Sequence, residues 1–426
     1  MKRGRGGDLR LNHGCFRLVH LSTWRWWDAA ECGCLSGRAC MSGANGEWLK
    51  WGELGGLGGW RFFMGEGELG VALRVDLVMV RIMLKPRMTS GAIEGREAFG
   101  DALAAWFGET GRDYPWRRTR EPYEILISEV MLQQTQIGTV LGKGFYTRFL
   151  EAFPDVEALA CAQDEELLKA WEGLGYYRRA RMLRETARAL LATHGGKFPT
   201  GLEDLMKLPG VGRYTAGALR AFAFDLPAVV VDGNVSRVLS RVMDFSGAID
   251  DTAGQKRMWE WAEILADSQR PRVYHAALME LGQRICRPGV PDCLGCPVAA
   301  FCKTREPECL PVKRLKTVIT AVDEHALWLR DDAGRVLMHR EGGKRREGLW
   351  KLPTREADAL AALPVLVEHG YAITRYRVRL QVHDGEAWQG DFQLAEGESW
   401  QELEDVLALA MPSPFRRVIE RLLLEI

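Results

Sequence analysis

The chain has 426 residues, with Lys+Arg and Asp+Glu balanced at 57 each, a length that suits two or three domains. Zero net charge neither demands nor excludes a nucleic-acid partner, because a binding face needs only a local excess of positive charge. Ten cysteines at uneven spacing suit a reducing cytoplasm and argue against a secreted disulfide framework. The longest apolar run, residues 69–84, is interrupted by Arg74, Asp76 and Arg81, which argues against a membrane span.

Residues 1–88 are rich in Gly and Trp, hold four scattered cysteines and show neither a sustained helical nor a strand period. They lack the three-part pattern of a signal peptide. The expectation is a disordered extension or a mis-called start, with true initiation near Met79, Met83 or Met88.

From about Ala92 to about Ala300 apolar residues recur three or four apart, separated by Gly and Pro punctuation, which predicts an all-α domain over 89–313. Within it, PYEILISEVMLQQTQIGTV is a helix carrying Glu129 among Ile127, Val130, Met131 and Leu132. Such a glutamate either points to solvent or is desolvated, with a raised pKa that suits an acid. The polar run Gln133, Gln134, Thr135, Gln136 follows it. Residues 164–195 continue the helical pattern through GLGYYRRARML.

LEDLMKLPGVGRYTAGALRAFAF then predicts helix, tight turn, helix. Gly210 and Gly212 would let backbone N–H groups approach a phosphate at a helix start, a sequence-independent grip on nucleic acid. The alternative is an ordinary helical turn that uses two glycines. In AVVVDGNVSRVLSR, Asp232 ends an apolar run and opens a helix, so it is an N-cap or a carboxylate placed to stabilise a cationic sugar.

Cys286, Cys293, Cys296 and Cys302 follow with six, two and five intervening residues. Four thiolates in one loop fit a [4Fe–4S] cluster better than zinc, whose loops more often show two separate cysteine pairs. After Pro311 the texture changes. TVITAVDEHALWLRDDAGRVLMHRE reads as strand–turn–strand around Asp332 and Gly334, RYRVRLQVH as another strand, and SPFRRVIERLLLEI as a closing helix. An α+β module over 314–426 is the expectation.

SEVMLQQTQ, GLGYYRRARML, LPGVGRYTAGA, VDGNVSRVLSR and the cysteine loop occur in that order. Together they resemble the MutY-type adenine DNA glycosylases of the helix–hairpin–helix superfamily, which includes endonuclease III. The resemblance covers about Ala92 to Lys313 and, more loosely, the C-terminal module. It implies a mainly α fold, a two-lobed helix–hairpin–helix glycosylase domain with a [4Fe–4S] loop, followed by a Nudix-like α+β domain that recognises 8-oxoguanine. It implies removal of adenine opposite 8-oxoguanine or guanine in double-stranded DNA, by a monomer with no membrane association. Glu129 would protonate the leaving base and then activate water, Asp232 would stabilise the sugar cation, and Asn234 and Tyr214 would orient them. Trp116 would line the base pocket, while Gln133, Gln134, Thr135, Leu174 and Tyr176 would probe or wedge the duplex. One of Tyr176 and Tyr177 is expected in the core. Arg284, Arg287 and Lys303 would face phosphate.

Relatives that also cut the strand carry a lysine where this chain has Tyr214, so the resemblance implies a monofunctional enzyme. Thymine–guanine mismatch glycosylases share that tyrosine and are the alternative, with a non-catalytic damage-binding protein as a third reading. EGLWKLP (347–353) is similar to a turn of the Nudix-like domain, and the closely spaced glutamates of a phosphohydrolase are not in sight. Ile373, Thr374 and Arg375 stand where many family members have a Phe-Ser-His loop, which implies an altered lesion contact.

Overall fold

The structure, a computed structural model, describes residues 95–314, 318–343, 346–387 and 393–424 together with four short strands earlier in the chain. The chain divides into two compact units, Met1–Pro86 and Arg87–Ile426. In the first, the described residues are the strands Arg25–Trp27, Cys40–Ser42, Trp48–Leu54 and Gly59–Met64, joined as an antiparallel meander. No strand period was expected here. The glycine-dense composition hid short aromatic runs such as GWRFFM, which favour β structure. The region of the expected start, Met79 to Met88, lies outside the described residues.

The second unit is helical from Arg96 to Arg284, and this helical part has two main cores. One, built mainly from residues 114–223, includes Ile125, Phe149, Leu167, Trp171 and Leu219. The other joins Phe99 and Leu103 of the Arg96–Thr110 helix to Val235, Leu239, Met258 and Leu281. The chain therefore leaves the second lobe, builds the first, and returns. Aspartates 155, 232 and 251 cap helix N-termini with their side chains, each satisfying a donor that the helix leaves open.

The pattern over 164–195, read as one helical run, breaks into Asp164–Ala170 and Arg178–His194. Gly173, Gly175 and Tyr176 all have positive φ between them. A Cβ on Gly173 would lie 2.7 Å from the Phe145 ring, so only glycine fits this left-handed, crowded position.

The C-terminal module has a four-stranded mixed sheet and a three-stranded antiparallel one. Thr320–Trp328 and Val336–Arg340 follow the strand–turn–strand reading: the arms pair antiparallel only next to the turn, where Arg330 bridges Val336 and the Leu337 N–H donates to the Leu329 carbonyl, and the strands then part into different sheets. The first runs parallel to Tyr376–Asp384, and the second pairs with Glu398–Gln401 and Trp350–Lys351. Asp331 accepts from the N–H groups of Ala333 and Arg335 in the turn, which re-aims the chain from one sheet to the other. The helix Ser413–Leu424 buries Phe415, Val418, Ile419 and Leu422, the spacing of one apolar helix face.

This module is seated on the first helical lobe. Leu349 and Ala410 belong to that lobe's core. The Tyr177 hydroxyl donates to the Met411 carbonyl at 3.1 Å, Lys169 Nζ to Leu407 at 2.8 Å, and Arg416 Nη2 to Glu172 at 2.9 Å.

A candidate active site between the two helical cores

A cavity of ≈ 1070 Å³ is lined from both lobes, by Trp116, Glu129 and Gln133 to Gln136 on one side and Asp232, Asn234 and Arg237 on the other, with Tyr214 between. Eight of the residues expected at a site therefore converge: Trp116, Glu129, Gln133, Gln134, Thr135, Tyr214, Asp232 and Asn234.

Glu129 sits on the helix Pro122–Met131, whose last seven residues are all buried, and is itself 6% exposed. The solvent-facing alternative is thereby excluded. Tyr214, on the second helix of the hairpin, donates its hydroxyl to Glu129 Oε2 at 2.6 Å. Burial pushes the Glu129 carboxyl up to about 7; the tyrosine bond opposes that rise and the Asp232 charge adds to it. Burial, and then the Glu129 charge, raise the Tyr214 phenol well above its ordinary value, so it stays protonated and donates.

Asp232 is both things the sequence allowed. Its Oδ1 accepts from the Val235 N–H at 2.6 Å and caps the helix Gly233–Val242, while Oδ2 accepts from Asn234 Nδ2 at 2.9 Å. Burial raises its pKa, but these donors and the nearby Arg237 guanidinium restrain the rise. Arg237 extends the network by donating to Asn234 Oδ1 at 2.8 Å and to the Gly282 and Cys286 carbonyls. The sequence reading passed over Arg237 and Arg241, although their four-residue spacing in VSRVLSR put both on one helix face. Arg241, 2% exposed, donates to Cys286 Sγ and to the carbonyls of Arg287, Gly289 and Leu310.

The hairpin lies between Leu202–Lys207 and Arg213–Phe222. Gly210 has φ 76°, and its Cβ would come 3.0 Å from Met182, so the turn needs glycine there. Gly212 differs from expectation: its φ of −91° is open to any residue, and nothing lies near its missing Cβ. Its value is a bare approach to the helix N-terminus, where N–H groups attract an anion.

Other expected residues stand elsewhere. Leu174 is 6% exposed and part of the first core, so it packs rather than wedges. Tyr176 is 52% exposed, whereas Tyr177 is the buried member of the pair. Neither lines the cavity. Arg284 turns inward to Glu280 and the Thr110 carbonyl, leaving Arg287 and Lys303 exposed. Thr374 and Arg375 form the exposed tip between strands Val365–Ile373 and Tyr376–Asp384 and do not line the cavity. Thr374 has φ 52°, unusual for a β-branched residue. Glu280, fully buried, holds the Trp116 segment by accepting from Arg117 Nη1 and the Arg112 N–H.

Cys286, Cys296 and Cys302 are half-buried and Cys293 is exposed. Among the described residues no group of three or more His, Cys, Asp or Glu side chains is arranged to hold a metal ion. The donor chemistry nonetheless suits one. Burial pushes the Cys296 thiol up to about 12, and the charges of the other three cysteines add to the rise, a clustering of thiolates that a metal centre would relieve.

Residues 127–263 match the family model of the HhH-GPD superfamily base excision DNA repair protein. This part of the chain is an HhH-GPD domain. It contains Glu129, Tyr214 and Asp232, while Trp116 and the four cysteines lie outside the matched span. The chain is 43% identical over 218 residues to an adenine DNA glycosylase of Homo sapiens, covering 49% of this chain and 40% of that protein. It is 36% identical over 207 residues to an adenine DNA glycosylase of Buchnera aphidicola subsp. Baizongia pistaciae, covering 48% and 58%. Among solved structures, a thermostable thymine-DNA glycosylase is 33% identical, with 49% of this chain and 95% of that one covered and a TM-score of 0.45. The chain spans less than half the length of the human relative.

Proposed function

We propose that this chain hydrolyses the N-glycosidic bond of adenine opposite 8-oxoguanine or guanine in duplex DNA, without cutting the strand itself. The observation that carries the reading is the pairing of a buried carboxyl group, Glu129, with a half-buried one, Asp232, across one cavity with Tyr214 at the hairpin. The named relatives are adenine DNA glycosylases, which favours adenine as the leaving base.

Adenine reaches the cavity by leaving the stack, at a cost of a few kcal/mol. A carboxyl with a pKa of about 7 still holds its proton near neutrality and readily gives it up. Tyr214 occupies Oε2, so Oε1 carries that proton to a ring nitrogen. The C1′–N bond breaks and its electron pair leaves with the protonated base. Asp232, whose donors favour its anion, faces the resulting oxocarbenium-like sugar. Water then attacks C1′ and returns a proton to Glu129. A strand-cutting step would need an amine to form a Schiff base with C1′. The protonated Tyr214 phenol supplies none.

Cys286, Cys293, Cys296 and Cys302 would hold a [4Fe–4S] cluster, which supplies a cross-link for the loop and no electrons to base release. The C-terminal module would be the Nudix-like domain that meets 8-oxoguanine, with the Thr374–Arg375 tip as its contact. Its mixed sheet, closing helix and docked GLWKLP turn support that reading.

Single-turnover assays on duplexes with adenine opposite 8-oxoguanine, adenine opposite guanine and thymine opposite guanine test the proposal. The expected result is adenine release with strand breaks only after alkali. Thymine release would transfer the reading to a mismatch glycosylase, and tight binding without release from any duplex would leave a damage-binding protein.

A further inference from the structure

Two loops carry the residues nearest the expected duplex, 132–136 after the Glu129 helix and 173–176 before the Arg178–His194 helix. They share an uncommon feature. Each places a non-glycine residue in the left-handed region, Gln134 at φ 59° and Tyr176 at φ 49°, a conformation that persists only where the surroundings enforce it. One side chain reaches both. Arg179 Nη1 is shared among the carbonyls of Val130 (2.8 Å), Met131 (3.1 Å) and Gln133. Its Nη2 donates to Leu174 and Gly175, both at 3.2 Å, and more weakly to Thr135 Oγ1 at 3.4 Å. The guanidinium stands over the rings of Trp171 and Tyr176, 5.4 and 5.5 Å from their centroids. Its Nε is buried without a partner. An unsatisfied buried donor is costly, so the placement serves the other contacts of the group.

We infer that Arg179 is a positioning residue that fixes the two duplex-facing loops to each other and to the end of the Glu129 helix. The inference rests on the proposed function for its kinetic consequence, but the clamp is a property of the DNA-free protein. It specifies geometry that no hydrophobic contact between two polar loops could: five carbonyls, two from one loop, one from the other and two from the helix end, converge on one planar fork. Arg179 touches neither the leaving base nor either acid. Its effect on base release passes through where Gln134 and Tyr176 stand when the duplex arrives.

The tests use the full chain with Arg179→Lys, which keeps a charge but has a single ammonium, and Arg179→Met. In the DNA-free protein, backbone hydrogen exchange at 133–136 and at 173–177 is expected to quicken together in Arg179→Lys. Quickening in one loop alone, or in neither, overturns the clamp whether or not the chain is a glycosylase. On the adenine–8-oxoguanine duplex the single-turnover rate constant is expected to fall between about tenfold and a hundredfold, the scale on which a misplacement of about 1 Å acts. The active fraction, from the burst amplitude, and the basic limb of the pH profile stay as in the parent. A lowered amplitude with an unchanged rate constant means that Arg179 serves folding only, and overturns the inference. If the parent protein releases no adenine, the proposed function fails and the exchange result alone judges the clamp. Should Arg179→Met not fold, Arg179→Lys decides: parental exchange and rate in that variant overturn it.

Discussion

Glu129 and Asp232 face one cavity from different lobes, and their surroundings differ in kind. Glu129 sits in the body of a helix among apolar side chains and receives one side-chain donor, the Tyr214 hydroxyl. Asp232 stands at a helix N-cap, where a backbone N–H, the Asn234 amide and the Arg237 charge all favour its anion. Burial raises both groups, and the donors at Asp232 oppose that rise from more sides than the single tyrosine bond at Glu129. Division of labour between two like acids therefore comes from what the backbone offers each, a helix interior or a helix end.

The sharpest way to break this comparison is to make each acid neutral. Glu129→Gln should lower the single-turnover rate by about 10² to 10⁴ or more, the range for loss of a positioned general acid. Asp232→Asn should cost about 10² to 10³, the scale for removing one group that stabilises transition-state charge, and should leave the helix capped. Equal losses with identical pH profiles would mean that the two acids do not divide the work.

Stability separates them further. A carboxyl whose pKa rises on folding binds more protons folded than unfolded, so its contribution is harmless below about pH 4.5 and destabilising as pH rises through about 7. Glu129→Gln should therefore be the more stable protein at pH 8, by up to about 3 kcal/mol, with no such gain near pH 4.5. Asp232→Asn should show a smaller gain at pH 8. Denaturant midpoints at the two pH values check both.

The mildest change is Tyr214→Phe. Removing the hydroxyl withdraws a bond that favours ionised Glu129, so the fall in rate above about pH 7 should move to higher pH. The maximal rate should drop only several-fold, within the range of one lost hydrogen bond. A limb that moves to lower pH would mean that the tyrosine holds the neutral acid instead.

Much of this was legible in the sequence. The helical domain, the hairpin and both acids are written in local periodicity and short motifs. What was not legible is long-range. Whether Glu129 faced water or core depended on a partner helix 85 residues away. The break at Gly173 follows from a ring, Phe145, that lies beyond any local window. Leu174 sat inside a motif that suggested contact with a duplex, and its burial comes from the whole lobe. Beyond the turn at Asp331 the two strands part into different sheets, and a long hairpin would have left the same alternating pattern. Arg179 escaped notice because it bonds mainly to carbonyls, and carbonyls carry no letter of the sequence.

The docking of Leu349 and Ala410 into the first helical core has a thermal consequence. A shared core cannot melt in halves without exposing apolar surface from both sides, so the HhH-GPD domain and the C-terminal module should unfold on heating as one cooperative block. A strain applied to the module would then be felt in the lobe that carries Glu129.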